Sequence, residues 1–163
     1  MIITGIIKKQ EGPWWSAEVE ALGAFTQGRS RRGAAAMLKD LVETMIDRAD
    51  FRVTVKDVGA SAGGVVSVFI ESNDPAALAA RVLRYQREVH GLSLADVSKV
   101  LGVSSRNAYA RYEQGRTEPT IGKYNQLLAA VAPEMGLVLG RRQPAKSARG
   151  AIKRTRAART VSR

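Results

Sequence analysis

Residues 92–131, LSLADVSKVLGVSSRNAYARYEQGRTEPTIGKYNQLLAAV, decide how this chain is read. Ser93 stands before an apolar-periodic run, where a hydroxyl accepts a bond from an N–H left free at a helix start. Leu94, Val97, Val100 and Leu101 recur at helical spacing and are expected to point inward. Ser98 is small enough for close helix contact. Gly102 supplies a turn, Val103 anchors it, Ser104 is expected to cap a second helix, and Gly115 ends that helix. On the second helix Ser105, Tyr109 and Tyr112 fall on one side and are expected to pack. Arg106, Asn107, Ala110 and Arg111 fall on the other and are expected to project. A third amphipathic helix runs through Leu127-Leu128 and is stopped by Pro133.

The projecting residue types suit the reading of base edges in duplex DNA. Arginine bonds guanine at two acceptors, asparagine pairs with both edge groups of adenine, and a small Ala110 admits close approach or touches a thymine methyl. Ser93, Ser104, Arg116, Thr117 and Lys99 are candidates for phosphate contacts, which set register rather than sequence; Lys123 could add to them.

This stretch resembles the Cro/repressor helix-turn-helix family. The likeness rests on Leu92-Ser93, Val97, Leu101-Gly102-Val103-Ser104, Arg111-Tyr112-Glu113-x-Gly115 and Glu118-Pro119. From Gly102 to Gly115 the segment is one residue longer than the usual pattern, so the recognition helix is aligned backward from Gly115. A start shifted by one would place Ser105 in the reading position. The resemblance implies a double-stranded operator as partner and a homodimer or higher homo-oligomer as the binding form.

The charge agrees with a polyanionic partner. The chain has 163 residues and a formal net charge of +11. Residues 1–79 hold 9 Lys/Arg against 10 Asp/Glu, residues 80–132 hold 8 against 4, and residues 140–163 hold 9 against none. The excess is therefore C-terminal. The tail has only Ile152 and Val161 as bulky aliphatics, too little to offset chain entropy, and is expected to be disordered. There is no cysteine, which excludes disulfides and thiolate metal sites. No apolar run approaches the ~20 residues of a membrane helix, and the N-terminal lysines follow the apolar residues rather than precede them. The expected location is the cytoplasm.

The front of the chain reads as strands around one helix. Residues 2–9 are β-branched, with a glycine that could mark a bulge. Trp14–Phe25 alternates partly and predicts one strand, with Trp15, Ala17 and Val19 buried and Trp14, Ser16, Glu18 and Glu20 outward. Ser30 is placed to cap a helix whose apolar positions are 34, 37, 38, 41, 42, 45 and 46. Phe51–Val58 and Val65–Glu71 predict two more strands, joined by a glycine-rich connector at residues 59–64 that is too long for a two-residue turn. Ser72–Pro75 marks a boundary, with Pro75 opening a helix to Val89 that His90-Gly91 ends. Gly136–Gly140 predicts a terminal strand or a dimer contact.

Residues 1–71 resemble the N-terminal domain of HicB antitoxins, through Pro13-Trp14-Trp15, Gly23–Gly28 and Ser30 before an alanine-rich helix. That resemblance implies a truncated ribonuclease-H-like sheet without catalytic carboxylates. It also implies a HicA-like small ribonuclease toxin as protein partner, bound near Trp14 and Phe25. Packing over the sheet is the other reading of Trp14. Arg31 and Arg32 open the helix against its dipole.

Catalysis finds little support. His90, the one histidine, sits at a helix end, the carboxylates have no ligand spacing, and Ser61 has no recognisable base. The expectation is an α+β chain: a HicB-like regulatory domain (1–72), an all-α helix-turn-helix domain (75–132), a short apolar segment (133–139) and a basic tail (140–163). It is expected to be no enzyme and to use no cofactor or metal. The expected function is an antitoxin and autorepressor of its own operon. A stand-alone regulator that senses a ligand or another protein, and an RNA-binding or nucleoid-type protein driven by the tail, are the alternatives.

Overall fold

A computed structural model describes residues 1–58 and 63–138. The expectations for residues 59–62, within the glycine-rich connector, and for the basic tail lie outside the described residues. The sheet comprises β1 (Ile2–Lys9), β2 (Trp15–Val19), β3 (Ala24–Gly28), β4 (Val53–Asp57) and β5 (Val65–Ser72). All neighbours are antiparallel, in the order β3-β2-β1-β5-β4. Alternation does the work: Ile3 and Ile7 of β1, Ala17 and Val19 of β2, and Val66, Val68 and Ile70 of β5 are buried, while Thr4, Glu18 and Ser67 face out. Helix α1 (Arg31–Ile46) packs Ala34, Leu38 and Val42 onto the buried side.

The single strand expected over Trp14–Phe25 is two strands. A 3-10 turn, Glu20–Leu22, separates them, with Leu22 fully buried and Gly23 in the left-handed region at φ 62°. The run Glu20-Ala21-Leu22 breaks the period of two, so the chain folds back instead of extending. Ser16, expected outward, is buried, and its Oγ accepts from Gln10 Nε2 at 2.7 Å. Gly5 marks no bulge: its pairing with Val68 lies in an unbroken register, and a Cβ there would meet Glu18 O at 2.6 Å.

α1 is capped by a side chain at its start and closed at its end by the backbone N–H of Asp47 on Glu43 O. Ser30 Oγ accepts the Gly33 N–H at 3.0 Å, as expected, and Arg31 is not stranded at the dipole because it pairs with Asp57. Near the far end Glu43 accepts the N–H of Val53, on the edge strand β4, at 2.8 Å, and Lys39 holds the same carboxylate at 2.7 Å.

Helix α2 (Pro75–Val89) starts at Asp74, which accepts the Ala77 N–H at 3.0 Å. That bond, with help from Arg48, holds the Asp74 carboxyl below its usual range despite partial burial. α2 packs on the 3-10 turn of the sheet. Gln86, buried, donates to Ala21 O at 3.2 Å, and the Tyr85 ring lies against Gly23. Three further helices follow: α3 (Leu94–Val100), α4 (Arg106–Glu113) and α5 (Ile121–Val131). The buried apolar cluster runs without a break from Ile3 and Leu22 through Leu78 and Leu83 to Tyr109 and Leu127. Residues 136–138 form no strand, and Leu137 and Val138 are exposed, contrary to the expected terminal strand. No helix among the described residues is long and apolar enough to cross a membrane.

Gly23 gives the first prediction. A Cβ there would lie 2.2 Å from Tyr85 Cζ, on a backbone that L side chains rarely adopt. Gly23→Ala should destabilise the chain by ~2–4 kcal/mol, the left-handed penalty plus overpacking. Adding Tyr85→Ala should return the overpacking share. Urea titration of both variants measures it.

Candidate nucleic-acid interface

The interface is built on α3 and α4, each closed by a glycine. α3 opens as expected at Ser93, whose Oγ accepts the Asp96 N–H at 3.1 Å while Asp96 accepts the Ser93 N–H at 2.8 Å. It closes with Gly102 at φ 66°, the Gly102 N–H on Lys99 O and the Val103 N–H on Ser98 O. α4 closes the same way, with the Gly115 N–H on Tyr112 O and the Arg116 N–H on Arg111 O. This paired closure needs a left-handed residue after the cap, which explains glycine at both places. Between them Ser98, buried, turns its hydroxyl back to Leu94 O at 2.9 Å and lets α4 approach α3.

Tyr109 is the pin of α4. It is 1% exposed, and Tyr112 is half-buried beside it, as the sequence predicts. Burial pushes the Tyr109 hydroxyl far above the ordinary tyrosine range, so it stays neutral. A second hold comes from α2. Arg87 Nε and Nη2 meet the two carboxylate oxygens of Glu113 at 2.7 and 3.1 Å, and Arg87 Nη1 reaches Leu92 O at 2.8 Å. Glu113 is 7% exposed at its side chain and Arg87 15%. The hydrogen bonds to Glu113 raise the Arg87 pKa further still. Neither residue was singled out for this role from sequence. The usable signal was an acid on the recognition helix with an arginine four residues before Gly91.

The helix starts one residue later than expected. Ser105, not Ser104, is the N-cap, and its side chain makes no capping bond. Ser105 is exposed rather than packed, and so is Val100, which was expected inward. The exposed cap leaves the α4 N-terminus with a partial positive charge and free hydroxyls.

The predicted set falls in three groups. Lys99, Ser104, Ser105, Arg106 and Asn107 share one shallow groove between α3 and α4. Ala110 and Arg111 continue it one helical turn on, half-buried and exposed respectively. Arg116 and Thr117 lie beyond the helix end. Ser93 stands apart: its N–H and its hydroxyl are both engaged by Asp96, so a phosphate there would compete with a carboxylate. Asp96 is held below its ordinary pKa by the Ser93 hydrogen bonds and stays ionised. Ala108 and Gln114 are also exposed on α4 and were not singled out from sequence. Among the described residues no carboxylate forms an ion pair with Arg106, Arg111 or Arg116.

Trp14 and Phe25, the predicted partner contacts, lie on the sheet side opposite α1, which no helix among the described residues covers. They are 43% and 57% exposed, and Arg29 stacks on the Trp14 ring at 5.7 Å. They are remote in sequence from α4, but α2 touches both regions through Tyr85-Gln86 and Arg87.

A family model described as a helix-turn-helix domain matches residues 78–132, which span most of α2 and all of α3, α4 and α5. No curated protein and no solved structure matches the chain.

Proposed function

We propose that this chain is a DNA-binding transcriptional regulator that acts by binding, not by catalysis. α4 enters the major groove of an operator, with Arg106, Asn107, Ala110 and Arg111 toward base edges. Lys99, Ser104, Ser105, Arg116 and Thr117 sit toward the phosphates. The observation that carries this is the helix-turn-helix match over residues 78–132, joined to an α4 whose outward arginines form no ion pair among the described residues. Two copies would set two recognition helices one DNA turn apart, ~34 Å.

The front unit (1–72) supports a finer reading, a HicB-like antitoxin that neutralises a small ribonuclease toxin and represses its own operon. Three strands, a helix and two strands, with a bare sheet face carrying Trp14 and Phe25, suit a docking platform. Co-purification of the tagged chain from its native cell, with footprinting on its own upstream DNA, tests both parts. A small basic protein in the eluate supports the antitoxin reading; a footprint without one leaves a stand-alone regulator. No footprint anywhere upstream ends the operator reading.

Deleting residues 140–163 separates this reading from a tail-driven nucleic-acid binder. The nine Lys/Arg of the tail would contribute up to about 8 to the slope of log K against log salt, at ~0.9 per phosphate neutralised. The truncated chain should bind more weakly and with a shallower slope, yet keep its preference for operator over random DNA. Loss of that preference would favour the tail-driven binder.

A further inference from the structure

We propose that β3 is the strand through which two copies of this chain join, edge to edge and antiparallel, about a two-fold axis at Thr26. The proposal rests on the two-copy reading above and assigns it a contact.

The two edges of the sheet are treated differently. β4 is guarded: Glu43 takes the Val53 N–H, Lys56 stands on the strand, and Asp57 is paired with Arg31. Such charges and side-chain caps are how proteins prevent strand addition. β3, Ala24-Phe25-Thr26-Gln27-Gly28, has none of this. It carries no charge and no proline, and among the described residues its only strand partner is β2. A bare uncharged edge is a template for another strand.

Self-pairing fits the composition of β3. With Thr26 opposite its own copy, Ala24 faces Gly28 and Phe25 faces Gln27 of the second copy, twice over. Threonine pairs well across strands, and small residues at both ends let the backbones approach. No like charges meet. A strongly basic or acidic strand from elsewhere would find nothing on β3 to pair with. On the bare face, Phe25 is 57% exposed and Trp14 stands at 43% by the same strand pair, giving apolar area beside the new hydrogen bonds.

The register makes the test specific. Phe25→Lys with Gln27→Lys sets lysine against lysine at both pairs flanking Thr26. Phe25→Lys with Gln27→Glu sets lysine against glutamate at the same places. Both native side chains are exposed, so each variant should keep the wild-type circular dichroism. Sedimentation equilibrium without DNA reads the mass, 17.6 kDa for one chain or twice that for two. The wild type and the lysine–glutamate variant should run as two chains, and the double-lysine variant as one. A double-lysine variant that stays dimeric overturns the β3 contact while two-copy binding survives. It would then point to the other exposed apolar cluster, where Ile121, Leu137 and Val138 meet Met1 and Ile2. A monomeric wild type overturns both.

Discussion

Arg106→Ala and Asn107→Ala should each raise the operator Kd by roughly 5- to 150-fold, equivalent to the ~1–3 kcal/mol that a well-formed bidentate base contact discriminates. The reason lies in where the α4 N-terminus sits. Both side chains are exposed, both line the groove between α3 and α4, and Arg106 is engaged in no ion pair among the described residues. Truncation therefore removes little from the folded monomer, and its unfolding free energy should change by less than the ~0.5 kcal/mol typical of surface sites. The two substitutions should also relax sequence preference at one base position each. Lys99→Ala should behave differently, weakening binding alike on all sequences and lowering the salt slope by about 1. Fluorescence anisotropy on the upstream DNA and on single-base variants separates the two patterns. An unchanged Kd and an unchanged base profile for both Arg106→Ala and Asn107→Ala would remove α4 as the reading element.

What the sequence disclosed followed from periodicity. Six of the seven apolar positions of α1, the strands at 2–9 and 65–71, and the caps Ser30 and Ser93 are local signals, and the structure has them where they were expected; Met37, the seventh, is exposed. The expectations that failed depend on contacts far away in sequence. Glu20-Ala21-Leu22 turns because Leu22 finds a buried site and Gly23 accepts the Tyr85 ring, which lies 62 residues on. Val100 has apolar character and the right spacing, yet it is exposed because a seven-residue helix offers its neighbours a single narrow stripe. The α4 start slipped by one because an added residue in a turn is invisible to a period of 3.6. The electrostatic hold on α4 was hidden for a similar reason. Arg87 and Glu113 read as ordinary surface charges until the fold sets them 2.7 Å apart.

That hold gives the largest stability effect. Removing one partner of a buried, bidentate pair leaves the other charge without compensation, at ~3–5 kcal/mol. Glu113→Ala should therefore remove a large part of the ~5–15 kcal/mol that a domain usually has. Apolar replacement of both partners, Arg87→Met with Glu113→Leu, should be close to neutral by the same reasoning, because no charge is left stranded. DNA binding should not follow stability back. The two parallel bonds fix where α4 lies against α2, and Arg87 also ties the α2 end to Leu92 O, two residues before α3 begins. Methionine and leucine fill the volume but impose no direction. The double variant is thus expected to fold with near wild-type urea stability while its operator Kd stays at least 10-fold weaker. Urea titration and anisotropy on the same preparations decide it. If Glu113→Ala costs under about 1 kcal/mol, the pair is a solvated surface contact. If the double variant recovers operator affinity together with stability, the pair holds the fold but does not aim the helix.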